Sequence, residues 1–511
     1  MMKPPVFRTR HLLLASITAT LLLGSPLAAQ TPLQRSGYKT PTSHADLMEF
    51  VQGAAASSAH LAVEVIGQSA QGRDIPAVTI SKGVYGADPA KVTALIFAQL
   101  HGNEQSGKEG ALLLIQAFAR GDFNHLLDDI DLIVVPQVNP DGSEVNRRLN
   151  AQGTDLNRDM LLLDGTENRV LHDFFKRHLP EVSVDVHEYA PYLSAWREFG
   201  YLKDYDIQVG LLTNPSIHAP LLAYQNERLL PALQQRVEAN GYTFFNYIIG
   251  GVPELEPTRT GNLRMERGVP ADNVTRHSNV GIYDGRQSFG ILNTFAMIYE
   301  GRNGRDRFVE NLEARAHCQF TTMVALLEFV QDNKGDIKQL VRDGRDALVN
   351  AREGEPMTIS MDLAKGDGPL QMPLRSVATG EIEVLEVAEY YPVVVPTAEV
   401  TRPAGYLVPR ADAALVEWMR RHQIRYLGEY TLAGQAAYQY VRAAEGGEWR
   451  KARMANAPAV SDYYLVPIGQ LHSNVLVLSL EPHSQLGLTS YDPFKHLLQP
   501  SAYPILRVES R

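Results

Sequence analysis

The sequence predicts an α/β fold, a sheet covered by helices on both faces, followed by a smaller β-rich domain. From about residue 61 to 190, apolar β-rich runs alternate with helical ones, and runs such as "LIVV" are apolar without a break. Alternating strand and helix patterns imply a sheet with helical crossovers. An unbroken apolar strand is buried on both sides. Near residue 355, beyond "REGEP", the texture changes to short alternating strands.

The elements follow in order. "LAVEVIG" and "DIPAVTIS" read as two strands, "KVTALIFA" as a third, "GKEGALLLIQAFARG" as a helix, "DIDLIVVPQV" as a strand, "NRVLHDFFKRH" as a helix and "EVSVDVHEY" as a strand. "APLLAYQNERLLPALQQRVEANG" has helical periodicity. The stretch after it, "GGVPELEPTRTGNLRMERGVPADN", is rich in Gly, Pro and charge and reads as a long surface loop able to serve as a lid. "GILNTFAMIYE" reads as a strand, and helical sequence follows from about 305 to 352. In the second domain "TISMDLA" and "EIEVLEV" read as strands and "ADAALVEWMRRH" as a helix. With 511 residues the chain exceeds what one core usually organises. The expected division is residues 1–29, 30–354 and 355–511.

Residues 1–29 carry Lys3, Arg8 and Arg10, then an apolar stretch broken at Gly24 and Pro26, then small residues ending at Ala28 and Ala29. This is the pattern of a secretory signal peptide rather than of a membrane anchor, and its removal leaves no stable membrane span. Losing those three cations makes the formal balance of −10 still more acidic, which argues against nucleic acid as a partner. Cys318 is the one cysteine, so an exported chain is not held by internal disulfides. Export to a bacterial periplasm fits that composition.

Directly behind "KVTALIFA" stands "QLHGNEQSGKEG", with His101 and Glu104 three positions apart. A catalytic zinc takes three protein ligands from His, Asp or Glu and keeps one position open. His-x-x-Glu, starting on a loop and entering a helix, turns both side chains toward one point. Two readings stand at this stage: a metal-ligand pair, or a surface polar pair capping the following helix. "HLPE", from His178 to Glu181, repeats the spacing but contains Pro180 and runs into a strand.

Further along, "VNPDGSEVNRRLNAQGTDLNRD" follows a strand, "VSVDVHEY" presents His187 at a strand end, and "AMIYEGRNG" closes another strand with Glu300. "HGNE", "NPDG", an arginine ahead of "DLNRD", a histidine after a strand and a closing glutamate, in that order, resemble the zinc carboxypeptidase family over about residues 40 to 330. The resemblance implies a mixed twisted sheet flanked by helices, and one zinc per chain held by His101, Glu104 and His187. It implies Glu300 as the general acid/base and Arg148 as the stabiliser of the oxyanion, with Arg147 the adjacent alternative. It implies Asn157 and Arg158 as the grip on the substrate's terminal carboxylate, and Asp155 as the carboxylate orienting the imidazole of His101; Tyr283 is the candidate for the tyrosine over the substrate, with a buried structural tyrosine as the alternative. Asp141 and Gly142 shape their loop. Arg158 could instead pair with Asp155 or Asp159, and Glu300 with Arg302 or Arg305. Arg286, in "YDGRQSFGILNT", either seeks acidic groups in the side-chain pocket or, the commoner fate, forms a surface salt bridge.

The function so implied is a metallopeptidase hydrolysing the C-terminal bond of peptides. The alternatives are a zinc amidase or deacylase acting on cell-wall peptides, peptidoglycan fragments or N-acyl amino acids, and a non-catalytic binding protein working through its β-rich domain. A serine hydrolase is disfavoured, because Ser69 in "GQSAQG" lacks the Gly-x-Ser-x-Gly spacing.

Overall fold

The structure, a computed structural model, describes residues 30–270, 272–444 and 447–510; the expected signal peptide lies outside the described residues. Eight strands build the central sheet: β1 (Leu61–Gln68), β2 (Asp74–Ile80), β3 (Val92–Ala98), β4 (Ile130–Val135), β5 (Val182–Tyr189), β6 (Ile207–Gly210), β7 (Phe244–Asn246) and β8 (Phe295–Arg302). Their order across the sheet is β1-β2-β4-β3-β5-β8-β6-β7. The middle four, β4, β3, β5 and β8, are parallel. The pairs β1/β2, β2/β4 and β8/β6 are antiparallel, so the sheet is mixed.

Every residue of β4 and β5 is buried, which explains the apolar run "LIVV" in β4; β5 instead alternates valines with the polar Ser183, Asp185 and His187. At the edge, β1 exposes Ala62, Val65 and Gln68. Helices His44–Ser57, Gln105–Arg120 and Leu312–Asp332 pack in succession on one another. Thr166–His178 lies against β1, Gly285–Gly290 against β5 and β8, and Lys334–Val349 against β3. Ligands in such sheets gather at the carboxyl ends of parallel strands. His101 follows β3, while His187 on β5 and Glu300 on β8 are paired in register near those ends.

Local departures from the sequence reading have local causes. "GILNTFAMIYE" is strand only from Phe295, because Asp284 caps the short helix Gly285–Gly290 by accepting from the Gln287 N–H at 2.7 Å. The long helical pattern around 230 contains a π turn at Gln225–Leu229, next to Pro231, which has no N–H to donate. The expected lid holds one small hairpin, Met265–Glu266 with Val269–Pro270.

From Pro356 on, strands dominate. Pro356–Ala364 pairs with Val393–Thr401, and a five-stranded antiparallel sheet runs Arg450–Arg453, Gln435–Val441, Leu506–Ser510, Gly405–Pro409, Tyr463–Pro467. This region touches the first at several points: Leu370–Ser376 pairs with the two-residue strand Tyr201–Leu202, and Leu263 bridges Leu363. Trp418 Nε1–H and His422 Nε2 both reach the Leu161 carbonyl, at 2.9 and 2.8 Å, and Arg421 reaches that of Leu162. These contacts hold the loop that follows Asn157 and Arg158.

Candidate active site

At the end of β3, Gln99 adopts φ 58°, a conformation uncommon outside glycine. Its buried amide compensates by donating to the Gly102 carbonyl and to Gln105 Oε1, both at 3.2 Å, while accepting from Gln137. The chain so turned brings His101 and Glu104 inward. Glu104 occupies the N-cap position of Gln105–Arg120 but makes no capping bond, so the surface-cap reading fails. Instead Glu104 Oε1 lies 2.9 Å from His101 Nδ1 and its Oε2 lies 2.8 Å from His187 Nδ1. The two Nδ1 atoms are 3.0 Å apart.

The far sides of both rings face carboxylates. His101 Nε2 is 3.1 Å from Asp155 Oδ1, and His187 Nε2 is 2.7 Å from Asp185 Oδ1. Asp185 and His187 are two apart on β5, so strand alternation puts them on one side. With Nε2 of each ring facing a carboxylate, the two Nδ1 atoms and the Glu104 carboxylate converge on one point, an arrangement that a cation resolves. His101, Glu104 and His187 form the one group of three or more metal-capable side chains found among the described residues, with ligand atoms within 4.8 Å of one another. The donor set of two imidazoles and a carboxylate suits zinc. Burial alone would raise the Glu104 carboxyl, but the imidazoles of His101 and His187 outweigh it and hold it well below the usual range. Burial opposes charge on His187, yet Asp185 and Glu104 push its pKa well up.

His101 and Glu104 open into a cavity of about 250 Å³ that Arg148, Asn157, Arg158, Tyr247, Arg286 and Glu300 also line. Burial raises the Glu300 carboxyl above its ordinary value, although His187 and a hydrogen bond from Tyr247 counter this. Arg302 pairs with Asp204 and Asp206 instead, and Arg305 lies over the Tyr192 ring. Arg148 Nε donates to Asp155 at 2.9 Å and its Nη1 lies 3.7 Å from Glu104. Arg147 turns away to the Asn150 carbonyl. Asn157 is fixed between the Gly285 N–H, which its Oδ1 accepts at 2.9 Å, and His187 Nε2 at 3.2 Å. Arg158 is exposed and, among the described residues, forms no ion pair; its guanidinium carbon stands 5.6 Å from the centre of the Tyr283 ring. Asp159 accepts from Asp164, Gly165 and Asn168. Tyr283 itself is buried, its hydroxyl accepting from Asn279 at 3.3 Å.

Asp141 accepts from Ser69, Gln71 and Arg73 and so ties its loop to the β1–β2 turn. "HLPE" comes apart: Glu181 pairs with Lys338, while His178 packs on Tyr85 and Phe174. Arg286 departs from the commoner expectation, for it is 1% exposed rather than on the surface. Sequence reasoning missed Asp185 and Tyr247. The i−2 spacing to His187 was a usable signal for Asp185; Tyr247 sits in irregular chain after β7 and has none.

Residues 47–179 match the family model described as zinc carboxypeptidase. Over that segment the chain is similar to zinc carboxypeptidases. The matched segment includes His101 and Glu104. A carboxypeptidase 2 of Trichophyton rubrum is 23% identical over 420 residues, covering 80% of this chain and 72% of that one. A carboxypeptidase E of Caenorhabditis elegans is 31% identical over 117 residues, 19% of this chain. A metallo-carboxypeptidase from Pseudomonas aeruginosa superposes with a TM-score of 0.40 at 21% identity, covering 57% of this chain and 68% of that one. No helix among the described residues is long and apolar enough to cross a membrane.

Proposed function

We propose that the protein is an exported, periplasmic zinc metallocarboxypeptidase that removes the C-terminal residue of peptides, with residues 30–354 as its catalytic domain and 355–511 as a β-rich domain that braces it. The observation that carries this reading is the convergence of two buried Nδ1 atoms, 3.0 Å apart, on one carboxylate, beside a cavity lined by Glu300 and by Arg158, which forms no ion pair among the described residues. His101, Glu104 and His187 hold one zinc. When bound, the ion supplies Lewis-acid chemistry, polarising a carbonyl and acidifying a water. Asp155 and Asp185 fix the two imidazole tautomers through Nε2.

Arg158 orients the substrate by its α-carboxylate; its Nη1 donates to the Asn157 carbonyl at 2.7 Å, which steadies the guanidinium, and no ion pair among the described residues competes for its remaining donors. Glu300 takes the proton of the attacking water and passes it to the leaving amine nitrogen; a carboxyl raised by burial suits both roles. Arg148, partly exposed beside Glu104 and Asp155, supplies positive charge where the carbonyl oxygen becomes anionic. Tyr247 aims the Glu300 carboxyl through its hydroxyl.

The test joins metal analysis of the purified protein to a product screen on free and C-terminally amidated peptides. One zinc per chain, loss of activity on chelation, and release of a single amino acid from free-acid peptides are expected. Equal cleavage of amidated and free-acid peptides would overturn the exopeptidase assignment in favour of an amidase.

A further inference from the structure

The wall of the cavity beyond Arg158 holds more buried positive charge than its neighbours neutralise. Arg286 donates from Nη1 to the Leu211 carbonyl at 3.0 Å and from Nη2 to Ser278 Oγ at 2.6 Å, with Asp284 at 3.4 Å; its Nε has no acceptor. Behind it stand two more buried cations. Arg276 donates to the Val274 carbonyl at 3.3 Å, and Lys203 to that of Ile248 at 2.8 Å. Neither forms an ion pair among the described residues, and Arg276 Nε is unpartnered.

The three act on common neighbours. Arg276 and Arg286 both act on the phenols of Tyr247 and Tyr283, and Lys203 acts on Arg276 and Glu300. Burial depresses the Arg276 guanidinium and brings the Lys203 ammonium down to about 8, as expected of cations lacking a close anion. Against these three cations stand two carboxylates, Asp284, whose Oδ2 faces Arg286 while its Oδ1 caps the helix, and Glu300, which serves the chemistry. Glycine makes the arrangement possible: a Cβ on Gly210 would stand 2.9 Å from Arg286 Nη1, 2.8 Å from the Tyr247 ring and 2.6 Å from Ile298. Buried cations short of counter-charge are costly, and an entering anion relieves that cost.

We propose that this cavity selects peptides ending in glutamate or aspartate, with the α-carboxylate on Arg158 and the side-chain carboxylate on Arg286, in the field of Arg276 and Lys203. The proposal rests on the carboxypeptidase reading. Water adds across the terminal peptide bond: the C–N bond breaks, a C–O bond forms, and Glu300 carries the proton to the departing amine of the acidic residue.

The test compares kcat/KM of the zinc-loaded full chain on otherwise identical N-blocked peptides ending in Glu, Asp, Gln, Leu and Lys. Glu against its neutral isostere Gln is expected to be favoured at least about tenfold, the scale of one charge-assisted hydrogen bond. Arg286→Met should bring that ratio close to one, and Arg276→Gln should lower it by a smaller factor. A wild-type Glu/Gln ratio near one, or a preference for Leu or Lys, overturns the proposal while leaving the carboxypeptidase reading intact. Release of no amino acid from any peptide overturns both. Should Arg286→Met fail to fold, the wild-type ratio still decides.

Discussion

Two groups of buried histidines use one side chain in opposite ways. His101 and His187 each stand between carboxylates, and their nitrogens converge on a common point. His172, His422 and His472 lie where helix Thr166–His178 meets the C-terminal region, and the charged groups acting on His172 are all bases: Lys176, His422 and His472. His172 and His422 pack edge to face with ring centres 4.9 Å apart, and His172 Nδ1, His472 Nε2 and Lys176 Nζ have no hydrogen-bond partner among the described residues. Burial depresses His172 and His472 well below the ordinary value and takes His422 down to about 3. The first group is built to hold a cation and the second to exclude one. An imidazole's role is set by the acids or bases that the fold places around it.

The largest expected effect falls on the first group. His101→Ala or His187→Ala should abolish stoichiometric zinc and activity together, because two remaining ligands rarely retain a catalytic metal. Zinc content near one per chain in both variants, read by metal analysis, would remove the assignment.

Glu300→Gln sharpens the difference between holding charge and moving protons. It should keep zinc and fold yet lower kcat by about 10²- to 10⁴-fold, the usual worth of a general acid/base. Near-normal turnover would place the proton carrier elsewhere.

Asp185→Asn moves His187 toward the environment of the second group by withdrawing its carboxylate. Zinc affinity should fall about 10- to 100-fold, as measured by competition with a chelator. Unchanged affinity would mean that Asp185 serves packing alone; a Cβ on Gly285 would lie only 2.5 Å from its Oδ2, so the pocket around it is tight.

The smallest effect belongs to the second group and appears in stability. Each of its histidines has a folded pKa below the unfolded value, so its neutral form favours the fold. That contribution is present above about pH 6.5 and is lost as pH falls toward the folded value, near 3 for His422. In the zone between, each such histidine costs about 1.4 kcal/mol per pH unit. Urea unfolding from pH 6.5 down to 4.5 should show this slope, and His172→Phe should remove about one histidine's share of it. An unchanged slope in the variant would show that His172 is hydrated and free to protonate.

The sequence by itself determined the sheet's central strands and the order of the metal-site motifs. Both follow from short-range rules: an unbroken apolar run such as "LIVV", residues 132–135, has one place to go, and His-x-x-Glu at a strand-to-helix turn aims two side chains at one point. The i, i+2 relation of Asp185 and His187 was equally legible, since alternation on a strand is local. Tertiary structure alone decided which cations lie in and behind the cavity wall. Arg286 reads from sequence like an ordinary surface residue, and only its contacts with the distant Leu211 and Gly210, together with Ser278, show that it is enclosed. The same holds for Tyr247 beside Glu300 and for His422 beside His172, which are 250 residues apart in the chain but share one buried junction. Electrostatic character inside a protein depends on which charges share a low-dielectric space, and no spacing along the chain encodes that.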